Sequence, residues 1–256
     1  MAPFELAEPR SLQEASALLD AEDARPLSGG TALMLMMKAG VLRPRRLVSL
    51  RRLGLDVIAA NGELRIGAMT TLRALEKSEA VKKGWRVITR TLRTLSNVRV
   101  RNVATVGGAL AHADPHMDLP PLLAALGARV VIEGKAGQRT VPVEELYAGY
   151  LETTLKPGEL ITRVDLPHLG KRRAAYLKCT TRSADDWPAV GVAVVLGGED
   201  RIFVSAATDR PMRISGEGAI AGLKIDDDLH GSAEYKKQLL RVYLKRAIDE
   251  ARRAVD

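Results

Sequence analysis

The sequence is poor in several residues from which sites are commonly built. It has one cysteine, Cys179, which excludes an internal disulfide and any zinc or iron–sulfur site made of its own thiolates. Aromatic residues make up 4% of the chain, so the stacking platform that single-stranded nucleic-acid binders interleave with charge is missing. No apolar run approaches the roughly 18 residues that a membrane-crossing helix requires. The opening MAPFELAEPR carries Glu5 and Glu8 instead of a basic segment followed by an apolar stretch, which is unlike a secretory signal and leads to the expectation of a cytoplasmic protein. Also absent are the Gly-x-Gly-x-x-Gly spacing of a Rossmann turn and the Gly-Lys-Ser/Thr ending of a P-loop. Nothing in the chain reads as a nucleophile with its base, a carboxylate dyad or a metal cage.

The chain has 256 residues, 46% of them hydrophobic and 27% charged, enough for one large domain or two modest ones with a real core. The net charge of +8 raises nucleic acid as a partner, but the bases come in short bursts such as Arg43 to Arg46 and Lys171 to Arg173, with acids scattered between them. That distribution favours solvated faces and a docking surface for an acidic partner.

Periodicity gives a mixed α+β architecture in two parts, the first itself divided, at about 1–55 and 56–170, and the second running from 171 to 256. Ser11 reads as a helix N-cap with Glu14 completing a capping box, and a helix is expected just beyond Gly29-Gly30. Val57 to Gly67 reads as a hairpin turning at Asn61-Gly62, Thr70 as the start of a helix, Trp85 to Leu95 as a longer helix, and the chain through Arg101 as irregular. A short helix at Leu122 to Leu126 and strands at Arg129 to Glu133, Arg139 to Val143 and Glu159 to Leu166 follow. Beyond Gly170, strands are expected at Ala174 to Cys179, Ala189 to Leu196 and Ile202 to Ala207, then a helix over Ala233 to Ala254.

Two glycine pairs carry the functional signal. In Leu27-Ser28-Gly29-Gly30-Thr31-Ala32-Leu33, glycines permit positive φ and remove the Cβ atoms that would keep a ligand from the backbone, while Ser28 and Thr31 add hydroxyls. Successive N–H groups there can converge on an anion. A lone Gly-Gly reads equally as a plain tight turn; the second pair, in Thr105-Val106-Gly107-Gly108-Ala109, changes this, because two such loops could clamp one diphosphate from both sides.

With these loops and their surroundings, PFELAEPRSLQEASALL, LRIGAMTTL, RNVATVGGALAHADPHMDLPPLLAAL, RTVPVEELYAGYLETTLKPGELIT and AAYLKCTTRSADDWPAVGVAVVL, the chain resembles over nearly its whole length the FAD-binding medium subunit of the xanthine dehydrogenase and carbon monoxide dehydrogenase family of molybdenum hydroxylases. The resemblance implies a two-part FAD-binding domain of the PCMH type, a small α/β subdomain plus a mixed or antiparallel sheet subdomain, and then a small α+β domain with a three-stranded antiparallel sheet and helices. It departs from the family pattern at Ser28, usually Ala, and at Ala109, usually Asn or Ser. The iron–sulfur insertion of one branch is missing, in keeping with the single cysteine.

By resemblance, Leu27, Ser28, Gly29, Gly30, Thr31, Ala32 and Leu33 contact FAD, as do Leu95, Thr105, Val106, Gly107, Gly108, Ala109, Ala113 and Asp114. Asp118 matches an acid near the cofactor, a good acceptor for ribose hydroxyls, or alternatively an N-cap for the following helix. Leu160 matches a contact near the flavin and is equally compatible with a core strand. Lys178 matches a lysine beside the isoalloxazine, with an exposed strand lysine as the competing reading. Trp187, in Asp185-Asp186-Trp187-Pro188, matches an aromatic beside the flavin ring that shields one face, with an ordinary loop tryptophan as its alternative. His112 is set aside as a proton carrier or metal ligand for lack of further ligands, and Met34, Met36 and Met37 read as core.

The resemblance further implies partners: a small subunit with two two-iron two-sulfur clusters and a large molybdopterin subunit bearing the molybdenum cofactor, in a dimer of heterotrimers. Substrate is oxidised on the large subunit, electrons pass through the clusters to this chain's FAD, and an external acceptor removes them. A free-standing FAD-dependent oxidoreductase of the same wider fold and a basic, non-enzymatic interaction module stand as the other classes.

Overall fold

The computed structural model describes residues 1–181, Ser183 and residues 186–254. Asp185, in the run around Trp187, therefore lies outside the described residues. Near the start, β1 (Glu5–Ala7), α1 (Leu12–Leu18), β2 (Ala24–Leu27), α2 (Leu33–Lys38) and β3 (Arg46–Ser49) form a three-stranded sheet in the order β1-β3-β2. Both pairings are parallel, and the two helices supply the crossovers that parallel neighbours require. Ser11 caps α1 by accepting from Glu14 N at 3.1 Å. The return bond of the box goes one residue further back, from Arg10 N to Glu14 Oε2 at 2.9 Å.

The central part begins with β4 (Ile58–Asn61) and β5 (Glu63–Gly67), a hairpin that turns on Gly62 at φ +81. Six helices follow: α3 (Leu72–Lys77), α4 (Glu79–Gly84), α5 (Arg86–Thr94), α6 (Val98–Arg101), α7 (Val106–His112) and α8 (Leu119–Ala125). Helix α3 starts one residue later than the sequence suggests, because the Thr71 hydroxyl, not that of Thr70, caps it from Ala74 N. The stretch before Arg101 holds α6, and α8 starts at Leu119 because Pro120 and Pro121 sit in its first turn, where proline is tolerated. Strands β6 (Arg129–Gly134), β7 (Gly137–Pro142) and β10 (Leu160–Leu166) complete an antiparallel sheet in the order β4-β5-β10-β6-β7, with the small hairpin β8 (Tyr147–Gly149) and β9 (Glu152–Thr153) between them in sequence.

The last part is an antiparallel meander of β11 (Arg173–Thr180), β12 (Pro188–Leu196), β13 (Arg201–Ser205) and β14 (Met212–Ile214), followed by α9 (Ala233–Arg253). This sheet has four strands, not the expected three; β14 is three residues long, too short for an alternating pattern to declare itself. Strand β12 is buried nearly throughout, since α8 packs on one side of the meander and α9, through Leu240, Leu244, Ala247 and Ala251, on the other. One apolar interior joins the central helices to this sheet, holding Leu122 and Leu123 together with Ala193, Val195 and Phe203.

Candidate functional site

The first glycine pair lies in the turn between β2 and α2. Gly30 has φ +71, a conformation that favours glycine. A Cβ on Gly29 would fall 2.0 Å from the carbonyl oxygen of Val103, so the loop is pressed against backbone and only glycine fits. The consequence lies in the donors: the N–H groups of Gly29, Gly30, Thr31, Ala32 and Leu33 make no hydrogen bond to any described residue. Five neighbouring donors at the head of a helix are an unspent polar resource.

At the second pair the donors are used. Thr105 is the N-cap of α7 and its Oγ1 accepts from Gly108 N at 3.1 Å, while Ala109 N donates to Thr105 O at 2.9 Å. Val106 N donates to Thr70 O at 3.0 Å and Gly107 N to Ala68 O at 2.8 Å. The glycines here serve close packing: a Cβ on Gly107 would lie 2.6 Å from Ala68 Cβ, and one on Gly108 would lie 2.7 Å from Ser28 Oγ. The two loops are therefore in contact through the Ser28 hydroxyl, the residue at which the sequence departs from the family's alanine.

Both loops line a cleft of about 490 Å³. Of the residues singled out from sequence, Ser28 to Leu33, Leu95, Thr105, Gly107 to Ala109, Asp118, Leu160, Lys178 and Trp187 line it. Leu27, Val106, Ala113 and Asp114 do not. Val106, the first residue of α7, is fully buried in the core, and Ala113 ends that helix in the left-handed conformation at φ 56. Leu27 belongs to β2, and Asp114 lies a layer behind the cleft, hydrogen-bonded to His116.

Asp118 and Lys178, given separate roles by the sequence, form a buried ion pair at 2.8 Å. Lys178 Nζ also donates to Thr94 O at 2.9 Å, and Tyr176 OH donates to Asp118 Oδ1 at 2.7 Å. Burial pushes the Asp118 carboxyl up from its ordinary value, against the opposing pull of Lys178 and of the Tyr176 hydrogen bond. The Tyr176 phenol is pushed well up by burial and then by the Asp118 carboxylate. Asp118 stands at the N-cap position of α8 but its side chain makes no capping bond there, which removes the alternative reading of that residue.

The lining also includes His116 and Ser96, which sequence reasoning passed over, His112, which it set aside, and Met36, which it read as core. Met36 was expected in the core with Met37; Met37 is buried at 3% exposure, whereas Met36 falls on the Leu33 face of α2, three residues on, a spacing that could have placed it. Ser96 sits at φ 53, its carbonyl and that of Leu95 held by the buried Arg101 guanidinium, which also pairs with Glu76. Burial resists ionisation of Glu76, but hydrogen bonds and charge from Arg73 and Arg101 hold its carboxyl below the ordinary value.

A flavin dinucleotide needs donors for its diphosphate and apolar walls for its rings. The cleft has unspent N–H groups at Gly29 to Leu33 and apolar side chains at Leu33, Leu95 and Leu160. Comparison with known proteins shows the family. Residues 2–169 match the family model described as the FAD binding domain in molybdopterin dehydrogenase. The chain is 30% identical to the glyceraldehyde dehydrogenase medium chain of Sulfolobus acidocaldarius, over 96% of this chain and 98% of that one. It is also 30% identical to the carbon monoxide dehydrogenase medium chain of Hydrogenophaga pseudoflava, over 97% and 96%. A chain of reconstituted CO dehydrogenase from Oligotropha carboxidovorans superposes with a TM-score of 0.93 at 31% identity, covering 99% of this chain and 100% of that one. The cleft, the fold that builds it and these likenesses along almost the entire length agree: the chain belongs to the FAD-binding medium-chain family of the molybdopterin dehydrogenases.

Proposed function

We propose that this chain holds FAD in the cleft and serves as the electron-transfer medium subunit of a heteromeric molybdenum hydroxylase. The observation that carries the reading is the row of unspent N–H groups from Gly29 to Leu33 beside a cleft with apolar walls. In this reading those groups, with the Thr31 hydroxyl, take the diphosphate, and Gly107 and Gly108 form a close wall behind it without donating. Leu33, Leu95 and Leu160 flank apolar parts of the cofactor, and Trp187 stands at the edge of the cleft. Lys178 brings a cation whose field is tempered by Asp118, so it steadies added negative charge less than a free ammonium would. Bound FAD supplies the redox chemistry, accepting and releasing electrons; the chain supplies position and electrostatics.

The partners in this proposal are a small subunit with two-iron two-sulfur clusters and a large subunit with the molybdenum cofactor, in a cytoplasmic dimer of heterotrimers that delivers electrons to an external acceptor. Residues 1–170 form the FAD-binding domain, with subdomains of about 1–55 and 56–170, and 171–256 a C-terminal domain. Relatives named for glyceraldehyde and for carbon monoxide are equally similar at 30% identity, in keeping with a substrate chosen on the large subunit. The test is titration of the purified chain with FAD, followed by quenching of flavin fluorescence. Saturable one-to-one binding is expected; an absence of binding by the well-folded chain and by its complex with co-expressed neighbours overturns the proposal.

A further inference from the structure

Trp187 lines the cleft while 54% exposed, so burial alone does not set the direction of its indole. The ring against it belongs to His116, with centroids 5.4 Å apart and planes inclined by 13°. His230 lies against the same imidazole at 5.3 Å and 42°. The imidazole itself has little freedom. Its Nδ1–H and its backbone N–H both donate to Asp114 Oδ1, each at 2.9 Å, which fixes the side chain and the main chain of His116 to a single oxygen. That oxygen is well placed to anchor them: Asp114 is 6% exposed, Met117 N donates to its carbonyl at 3.1 Å, and the next residue, Pro115, accepts from Ala206 N at 2.9 Å. The remaining ring nitrogen, Nε2, is buried and has no partner among the described residues.

We propose that His116 is a positioning residue: fixed by Asp114, it orients the Trp187 indole at the edge of the cleft. A parallel stack of this kind favours one orientation of a half-exposed ring by about two- to tenfold over the others. Asp114, which does not line the cleft, thereby acts on it through two intervening contacts. The consequence for a flavin in the cleft rests on the function proposed above, but the stack itself does not.

The test uses the full-length chain without added cofactor. The other tryptophan, Trp85, is buried at 3% exposure, so the Trp187 contribution is the difference between the wild type and Trp187→Phe. Acrylamide quenching of that component is expected to rise about threefold in His116→Ala and to return close to the wild-type value in His116→Phe, which keeps a flat ring. His116→Leu fills the volume without stacking and is expected to follow the alanine variant; Asp114→Asn is expected to fall between. Equal quenching in the wild type and His116→Ala, or equal protection by leucine and phenylalanine, overturns the proposal. If the alanine variant does not fold, the leucine and phenylalanine pair decides alone. Titrating FAD into the same proteins, and into the wild type in complex with its co-expressed neighbours, separates the two readings: an absence of binding in both ends the functional proposal and leaves the quenching result standing.

Discussion

At the first glycine pair, five consecutive N–H groups have no described partner; at the second, those of Val106, Gly107, Gly108 and Ala109 all donate, to Thr70, Ala68 and Thr105. The two segments look alike in sequence, each a hydroxyl residue close to Gly-Gly. Their neighbours make the difference. The second pair runs beside residues 68–71, with Thr105 bridged to Thr71; that chain takes up the donors of Val106 and Gly107, and Thr105 those of Gly108 and Ala109. At the first pair the closest approach is to the Val103 carbonyl, which limits side-chain volume and takes no hydrogen bond from any described residue. Asp118, Lys178 and Tyr176 follow the second pattern, polar groups satisfied among themselves. One region of the cleft is thus open for ligand chemistry and the other is a finished wall, so damage to the wall should appear as lost stability and damage to the open loop as lost binding.

The wall offers the largest test. Lys178→Met leaves Asp118 buried at 4% exposure without its counter-charge and is expected to cost about 3–5 kcal/mol in denaturant unfolding. Adding Asp118→Asn should recover part of that loss, since the two side chains are directly coupled. In the open loop, Gly29→Ala drives a Cβ into the Val103 carbonyl and should cost about 2–3 kcal/mol while weakening FAD binding at least about tenfold. Gly108→Ala meets side-chain oxygens, Ser28 Oγ and Thr105 Oγ1, and should be milder and relieved by Ser28→Ala; equal damage to FAD binding from the two glycine variants would remove the distinction between the loops. Thr105→Ala removes the cap of α7 and should cost about 1 kcal/mol while leaving the FAD Kd within about threefold, because the donor it frees lies in the wall.

The smallest effect concerns pH. Burial raises the Asp114 carboxyl, but the hydrogen bonds from His116 and the charge of His116 and His112 outweigh it and hold the group below its ordinary value. A lowered folded-state pKa contributes stability above the unfolded carboxylate value and loses it as pH falls through the folded one. Unfolding measured across the acid range should therefore show an Asp114-dependent decline below about pH 4. Asp114→Asn should flatten that part of the curve.

Local chemistry was legible in the sequence wherever short-range rules decide: the cap at Ser11, the hairpin at Gly62 and the long final helix all stand within a residue or so of expectation. Helix α7 was not, since Gly107-Gly108 in its first turn reads as a loop and the helix depends on the Thr105 cap and on close packing against Ala68. Nor was the pairing of Asp118 with Lys178, 60 positions apart, or the stack of His116 on Trp187. Residue types at these places carried a signal of polarity or aromaticity, and only the folded chain says which of them spend it on one another.

Phe203, Ala193 and Val195 share an interior with Leu122 and Leu123, and Arg201 reaches from β13 to the carbonyls of Ala124 and Ala125 and to Glu144. The end of α8, in the segment that follows the second glycine pair, is therefore roofed by chain that comes much later. The interior of the central helices is thus completed by the terminal meander, and the two should melt as one body.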